Sequence, residues 1–264
     1  MSSILWDKIV FGPIHSRRVG VSLGINIMPI SGKVCSFDCI YCECGWNKDG
    51  KKNQHIPTLE EIENAIKNRF AELSKEGIIV NSISFTGNGE PTLHKNFPEI
   101  IDLTIKYRNL YLKDAQISVF TNSTFLHKEE VRNALMKIDN PILKLDAGNN
   151  ELITLINQPN KSYDIDEVTE NMKLFNGNFI IQTLFLKGEN NGKNIDNTNQ
   201  ENTNQWIKKV IEVHPREVMA YTLDRETPSN TLKIATYEEI EQITKPLVEA
   251  GIKVQINAPK NEQN

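Results

Sequence analysis

Cysteine is nearly absent from this 264-residue chain: four occur, Cys35, Cys39, Cys42 and Cys44, all within ten residues, and none elsewhere. That excludes a secreted disulfide framework, which spreads its cysteines to staple distant loops, and it points to metal or redox chemistry in a reducing compartment. Long hydrophobic runs are missing too. The longest, such as Ile78-Ile79-Val80 and Phe179-Ile180-Ile181, fall far short of the roughly 18 residues of a membrane span. No charged stretch followed by an apolar one opens the chain, so no secretory signal and no membrane partner are expected, and a cytoplasmic location is. Neither charge is in excess: 30 Lys+Arg against 34 Asp+Glu leave a net charge of −4, without the broad basic footprint of a general nucleic-acid binder. With 39% hydrophobic and 24% charged residues, disordered and fibrous classes are excluded and a sizeable core can be buried.

What is present alternates. Gly20 to Ile27 reads as a strand, with Val21, Leu23, Ile25 and Ile27 at every second position. Thr58 followed by Glu61 is a capping box, and Ile62, Ala65, Ile66, Phe70 and Leu73 recur behind it at helical spacing. A strand over 81–86 follows, then helix 97–108 with strand 115–121, helix 128–137 with strand 141–147, and helix 165–175 with strand 178–186. Helix 203–213 leads to strand 216–223, and helix 237–250 to a last strand at 252–256. Such alternation predicts a parallel sheet covered by helices. About six βα units fall short of the eight of a closed barrel, so the expected fold is α/β, a partial barrel or wound sheet. The chain is expected to form a single domain over 1–264, with a cysteine loop at 33–45. The Asn- and Gly-rich segment 188–204 is expected to be a long surface loop.

In parallel α/β folds, sites collect where strands end. Here those ends are polar: Thr121-Asn122, Lys144 and Asp146 on one face of their strand, Gln182, and Thr222, Asp224 and Arg225. Their recurrence at successive strand ends predicts a polar pocket. The spacing Cys35-x3-Cys39-x2-Cys42 lets three thiolates converge from one loop. That serves either a zinc knuckle completed by Cys44 or an iron–sulfur cluster with one iron left open, since thiolates suit both metals.

Cys35-x3-Cys39-Ile40-Tyr41-Cys42, with an aromatic residue just before the third cysteine, resembles the signature of the radical S-adenosylmethionine (SAM) superfamily. Gly87-Asn88-Gly89-Glu90-Pro91 looks like its glycine-rich methionine-binding motif, in the expected order along the chain. Four further stretches are similar to the subgroup of wyosine-forming enzymes. They are Phe11-Gly-Pro with Ser16-Arg-Arg and Ser22-Leu-Gly, Phe85 to Leu93, Lys144-Leu-Asp-Ala-Gly148, and Tyr221-Thr-Leu-Asp-Arg-Glu-Thr-Pro228.

The resemblance implies a radical-SAM-type partial (βα)6 barrel and a [4Fe-4S] cluster on Cys35, Cys39 and Cys42, whose free iron chelates the amino and carboxylate groups of SAM. One electron, from a donor such as flavodoxin or ferredoxin, then splits SAM into methionine and a 5′-deoxyadenosyl radical. Glu90 is expected to accept from the SAM ammonium, with Gly87 and Gly89 letting the backbone come close. By strand position Asn122, Lys144, Asp146 and Gln182 are candidates for the carboxylate, ribose and adenine, and Tyr41 for the adenine side. Asp224 and Arg225 are substrate-side candidates. The substrate is unassigned, with an RNA base as one candidate; Arg17-Arg18, Lys51-Lys52 and Arg225 are local anion-contact candidates. Wyosine-forming enzymes carry extra cysteines for a second cluster, which Cys44 alone cannot supply. His15 and His94 are expected at the surface. The competing readings are a non-catalytic zinc module and an iron–sulfur electron-transfer protein, both using all four cysteines.

Overall fold

The computed structural model describes residues 4–16, 20–50, 54–225 and 227–260; Arg17-Arg18 and Lys51-Lys52 lie outside them. The chain opens with an antiparallel pair, β1 (Val10–Ser16) and β2 (Gly20–Ile25). The cysteine loop and α1 (Leu59–Lys75) lead to β3 (Ser82–Phe85), then α2 (Phe97–Tyr111), β4 (Gln116–Thr121), α3 (Glu129–Met136) and β5 (Asn140–Lys144). Two helices, α4 (Asn150–Asn157) and α5 (Ile165–Lys173), precede β6 (Ile180–Leu184). A hairpin, β7 (Leu186–Asn190) and β8 (Lys193–Asp196), precedes α6 (Gln200–Val213) and β9 (Glu217–Tyr221). The described chain closes with β10 (Leu232–Ile234), α7 (Tyr237–Glu249) and β11 (Lys253–Asn257).

The main sheet has eight strands in the order β1-β2-β3-β4-β5-β6-β9-β11. From β2 onward all pairings are parallel, and every crossover from β2 to β3, β4, β5, β6, β9 and β11 carries at least one helix. This is the expected partial (βα)6 architecture, with β1 and β11 as edges. No helix among the described residues is long and apolar enough to cross a membrane.

Alternation along the strands separates two faces. Leu23, Ile25, Ile83, Phe85, Ile117, Val119, Leu143 and Ile181 belong to the large core beneath the helices. The other face is more polar, with Ser22, Ser84, Lys144 and Gln182 beside a small apolar cluster of Ile142, Ile180, Met219 and Phe120. A sheet that buries one face against helices and keeps polar side chains on the other has room for a site inside its curve.

Helix α1 begins as the capping box dictates. Thr58 Oγ1 accepts from Glu61 N at 3.2 Å, and Thr58 N donates back to Glu61 Oε2 at 2.6 Å; Ile62, Ile66, Phe70 and Leu73 are buried. Thr58→Ala should cost about 0.5–2 kcal/mol and lower the melting temperature in a thermal unfolding scan. Iron loading should not change, because the cap does not touch the cysteine loop.

Several elements depart from expectation. The strand expected over 20–27 ends at Ile25, and it pairs with β1, which sequence periodicity did not reveal. Segment 188–204 is not a loop: Asn191 and Gly192 both have positive φ and turn β7 into β8, β10 adds a third strand, and α6 begins at Gln200. Two positive-φ residues at the centre of a two-residue turn match the twist of a hairpin. Helix α4 was not foreseen, although Asn149 caps it by accepting from Leu152 N at 2.9 Å.

Candidate functional site

The cysteine loop is clamped between two backbones. On one side Val34 bridges Gly89: Val34 N donates to Asn88 O at 2.9 Å and Glu90 N donates to Val34 O at 3.1 Å. On the other side the end of α4 and the turn after it hold the loop, through Asp38 N to Asn157 O at 2.9 Å and Ile40 N to Ile156 O at 3.0 Å. Asn47 closes the loop internally. Its Oδ1 accepts from Cys35 N at 3.0 Å, and its Nδ2 donates to the carbonyls of Cys35 and Phe37. Three thiol-bearing residues are thereby fixed on the wall of a cavity of about 580 Å³.

That cavity gathers the residues expected from the sequence: Cys35, Cys39, Cys42, Tyr41, Gly87, Gly89, Glu90, Asn122, Lys144, Gln182, Asp224 and Arg225 all line it. Asp146 does not. It is fully buried behind the wall, where it accepts from the Tyr41 hydroxyl, from Asn157 Nδ2 at 2.7 Å and from Leu184 N at 2.9 Å. Lys144 Nζ donates to Tyr41 Oη at 2.6 Å and stands 3.5 Å from Asp146 Oδ2. Asp146 therefore anchors the wall, while Tyr41 and Lys144 present it. Burial lowers the pKa of the Lys144 ammonium, but Asp146, Tyr221, Cys39 and Cys42 together raise it above the ordinary value and hold the group charged.

Glu90 is also buried, and its carboxylate is held by four protein donors. Thr92 N, Thr92 Oγ1 and Thr121 Oγ1 donate to Oε1, and Asn122 N donates to Oε2 at 2.7 Å. A carboxylate offers about four lone-pair sites on its two oxygens, so Oε2, with one protein donor, keeps capacity for another, and Glu90 lines the cavity. Burial raises the Glu90 pKa against these hydrogen bonds. The side chain of Asn122 turns to the cysteine loop, donating to Ser36 Oγ at 2.8 Å and pointing at Cys35 Sγ at 3.6 Å. Gln182 carries no side-chain hydrogen bond among the described residues and faces the cavity.

The glycines serve the clamp. A Cβ on Gly89, whose φ is +147°, would lie 1.7 Å from Val34 O, and one on Gly87 would lie 2.4 Å from Asn26 Oδ1. Their bare backbones thus make room for protein, and both residues also line the cavity. Asn88 between them is fully buried and pins the N-terminal segment: its Oδ1 accepts from Trp6 N and its Nδ2 donates to Trp6 O, both at 2.8 Å. The Trp6 ring stacks on Phe11 at 3.8 Å between centroids, and both line the cavity. No spacing rule signals this contact across 82 residues.

Nitrogen donors reach two of the three cavity sulfurs, Cys35 and Cys39, although burial raises the pKa of both thiols. Asn157 Nδ2 donates to Cys39 Sγ at 3.3 Å and Phe37 N to Cys35 Sγ at 3.5 Å. Lys33, unremarked in the sequence, is buried with Nζ 3.0 Å from Asp38 Oδ1 and 3.1 Å from Gly45 O. Burial works against its charge, but Cys42, Cys39, Cys35 and Asp38 together raise its pKa above the ordinary value. Without a metal, burial pushes the Cys39 thiol up to about 11. Cys44 does not line the cavity, and its Sγ donates to Gly87 O at 3.3 Å. A hydrogen bond with Cys42 lowers the Cys42 pKa and raises that of Cys44. Three cavity-lining thiols with nitrogen donors aimed at two of them, and the fourth off the wall, fit a three-thiolate cluster with one open iron.

Of the two histidines expected at the surface, His94 is buried, its Nε2–H donating to Pro57 O at 2.8 Å and its Nδ1 accepting from Asn96 N at 3.1 Å. Those contacts tie the turn after Glu90 to the segment before α1. The side chain of His15 lies outside the described residues. At the cavity mouth Arg225 Nη1 pairs with Glu43 Oε2 at 2.7 Å in a largely exposed ion pair.

A family model described as the radical SAM superfamily matches residues 30–200, which carry the cysteine loop, the glycine turn, Lys144 and Gln182. The chain belongs to the radical SAM superfamily. Its cofactors are those of the family, a [4Fe-4S] cluster and SAM. It is similar to a protein named GTPase Obg from Brachyspira hyodysenteriae, 34% identical over 97% of this chain and 36% of that protein. It also resembles a UPF0026 protein of Methanocaldococcus jannaschii, 33% identical over 67% of this chain and 54% of that protein. The chain thus spans about a third to a half of the length of these relatives. Among solved structures, a radical SAM methyltransferase from Sphaerobacter thermophilus superposes with a TM-score of 0.66 at 16% identity, over 90% of this chain and 66% of that one. That likeness is one of fold.

Proposed function

We propose that this radical SAM chain holds a [4Fe-4S] cluster on Cys35, Cys39 and Cys42, cleaves SAM reductively there, and directs the 5′-deoxyadenosyl radical at a substrate seated in the same cavity. The observation that carries the reading is the division of the four cysteines: three line one cavity with Glu90 and Lys144, and Cys44 is hydrogen-bonded to Gly87 O off the wall. A zinc knuckle or a closed electron-transfer cluster needs the fourth thiolate at the metal. When bound, the cluster supplies one electron to the SAM sulfonium. The protein's own part is to hold and orient. Glu90 Oε2 takes the SAM ammonium, and Lys144, charged and braced by Tyr41 and Asp146, takes an anionic or ribose oxygen. The side-chain amide of Gln182, without a partner among the described residues, is the group for the ribose or adenine. Asp224, Arg225 and the Trp6–Phe11 stack stand on the substrate side.

Radical SAM enzymes generally need a one-electron reductant, and a flavodoxin or ferredoxin in the cytoplasm is the donor proposed here. The substrate is finer ground. The motif segments resemble wyosine-forming enzymes and support an RNA base, whereas relatives called UPF0026 proteins point to another branch. The primary test is anaerobic reconstitution followed by reduction and assay of 5′-deoxyadenosine. Product with about four irons per chain supports the reading, and tight zinc binding without SAM cleavage overturns it.

Glu90 gives a sharper test. Glu90→Gln keeps an acceptor for the two threonines but loses the charge facing the cavity. Iron content should stay near the parent's while SAM binding weakens by roughly 10–150-fold, the worth of a hydrogen bond to a charged group. Calorimetry on the reconstituted variant reads this directly, and unchanged affinity would remove Glu90 from the SAM site.

A further inference from the structure

Asn157 ends α4 behind the cysteine loop, and neither the cysteine signature nor the glycine turn accounts for it. Its side chain is fully buried. Chemistry fixes its orientation: Nδ2 lies 2.7 Å from Asp146 Oδ2, a place only a donor can take. The second amide hydrogen then faces Cys39 Sγ at 3.3 Å, with Tyr41 Oη at 3.4 Å. The Tyr41 hydroxyl is already committed, donating to Asp146 and accepting from Lys144 Nζ. Oδ1 is left in the interior without a partner. A buried carbonyl with no donor is disfavoured, and a leucine would fill similar volume without it. What the amide does through Nδ2 must outweigh that loss.

We propose that Asn157 is a positioning residue of the iron–sulfur centre that raises its reduction potential, by donating to Cys39 Sγ from a fixed seat on Asp146. The proposal rests on the reading of Cys35, Cys39 and Cys42 as cluster ligands. Reduction adds negative charge to the cluster and its thiolates, so a donor aimed at a ligand sulfur favours the reduced state. Asn157 reaches the sulfur from α4, on the opposite side of the loop from the glycine turn, and the same Asp146 that seats it also braces Tyr41 and Lys144 on the cavity wall.

The experiment is a redox titration of the reconstituted holoprotein, followed by electron paramagnetic resonance, on the parent, Asn157→Leu, Asn157→Ser and Asn160→Ala. Serine is too short to span Asp146 and Cys39. Asn160 Nδ2 donates to the Cys35 carbonyl at 2.8 Å and to no sulfur, so its removal loosens the same loop without taking a donor from a thiolate. Both Asn157 variants should keep the parent's iron and sulfide, with a midpoint more negative by about tenfold in the reduction equilibrium, ~59 mV for one electron. Asn160→Ala should titrate with the parent. An unchanged midpoint in Asn157→Leu, or an equal shift in Asn160→Ala, would overturn the proposal. Loss of the cluster from both Asn157 variants, with retention in Asn160→Ala, would overturn it too, since the amide would then be needed to build the loop. A parent that binds no cluster would take down the cofactor reading itself, and this proposal with it.

Discussion

Replacing Cys39 by Ala should empty this protein of its cluster, and replacing Cys44 by Ser should not. Cys39 is one of three thiols on the cavity wall, it is buried, and Asn157 Nδ2 already points at its sulfur. Without it only Cys35 and Cys42 remain to hold four irons, and no other cysteine faces the cavity. The drop in 5′-deoxyadenosine yield should exceed the roughly 10–100-fold that follows loss of an outer-shell partner of a metal ligand. Cys44 donates to Gly87 O and does not line the cavity. Cys44→Ser keeps a donor for that carbonyl, so iron, sulfide and SAM cleavage should stay near the parent's. The two variants read together discriminate between metals. If four thiolates closed a zinc site or a Cys-only cluster, both would lose it; if SAM occupies an open iron, only Cys39→Ala does.

What the sequence revealed of this site was local in the chain. The cysteine spacing, the capping box at Thr58 and the glycine turn are patterns within a few residues, and each is found where it was read. Alternation along strands also put Lys144 and Gln182 on the cavity face. Asp146 lies behind the cavity wall for a physical reason: β5 ends at Lys144, and past that point the alternation that would aim Asp146 at the cavity no longer holds.

The unread part consists of contacts between distant segments and of short elements. Helix α4 has eight residues, too few for periodicity to stand out, yet its last residue aims at a cysteine 118 positions earlier. Asn88 looks like a turn residue and is a buried clamp for Trp6. The hairpin of β7 and β8 was hidden by composition. A segment rich in Asn and Gly reads as a loop, although Asn191-Gly192 between two strands turns a hairpin.

The clamp on the cysteine loop yields the other large effect. Gly89→Ala should unseat the loop and with it the cluster. A Cβ at Gly89 would stand 1.7 Å from Val34 O and 2.5 Å from Val34 C, both backbone atoms that no side-chain rotation can clear. Val34 immediately precedes Cys35, and its two backbone hydrogen bonds to Asn88 and Glu90 fix the first thiol relative to the carboxylate proposed for SAM. The backbone of Gly89, at φ +147°, adds strain of about 1–3 kcal/mol for any residue with a side chain. Either the loop moves or the turn does, and in both cases Cys35 and Glu90 lose their mutual register. The expected result is a lowered melting temperature together with substoichiometric iron after reconstitution. Gly77→Ala is the matched control: its φ is +69°, but nothing lies within 4 Å of the added Cβ. It should destabilise the end of α1 by about 1 kcal/mol, the ordinary cost of a side chain in the left-handed region, and load iron as the parent does. Full iron loading in Gly89→Ala, with Gly77→Ala equally destabilised, would mean that the bridge to Val34 does not hold the cluster loop.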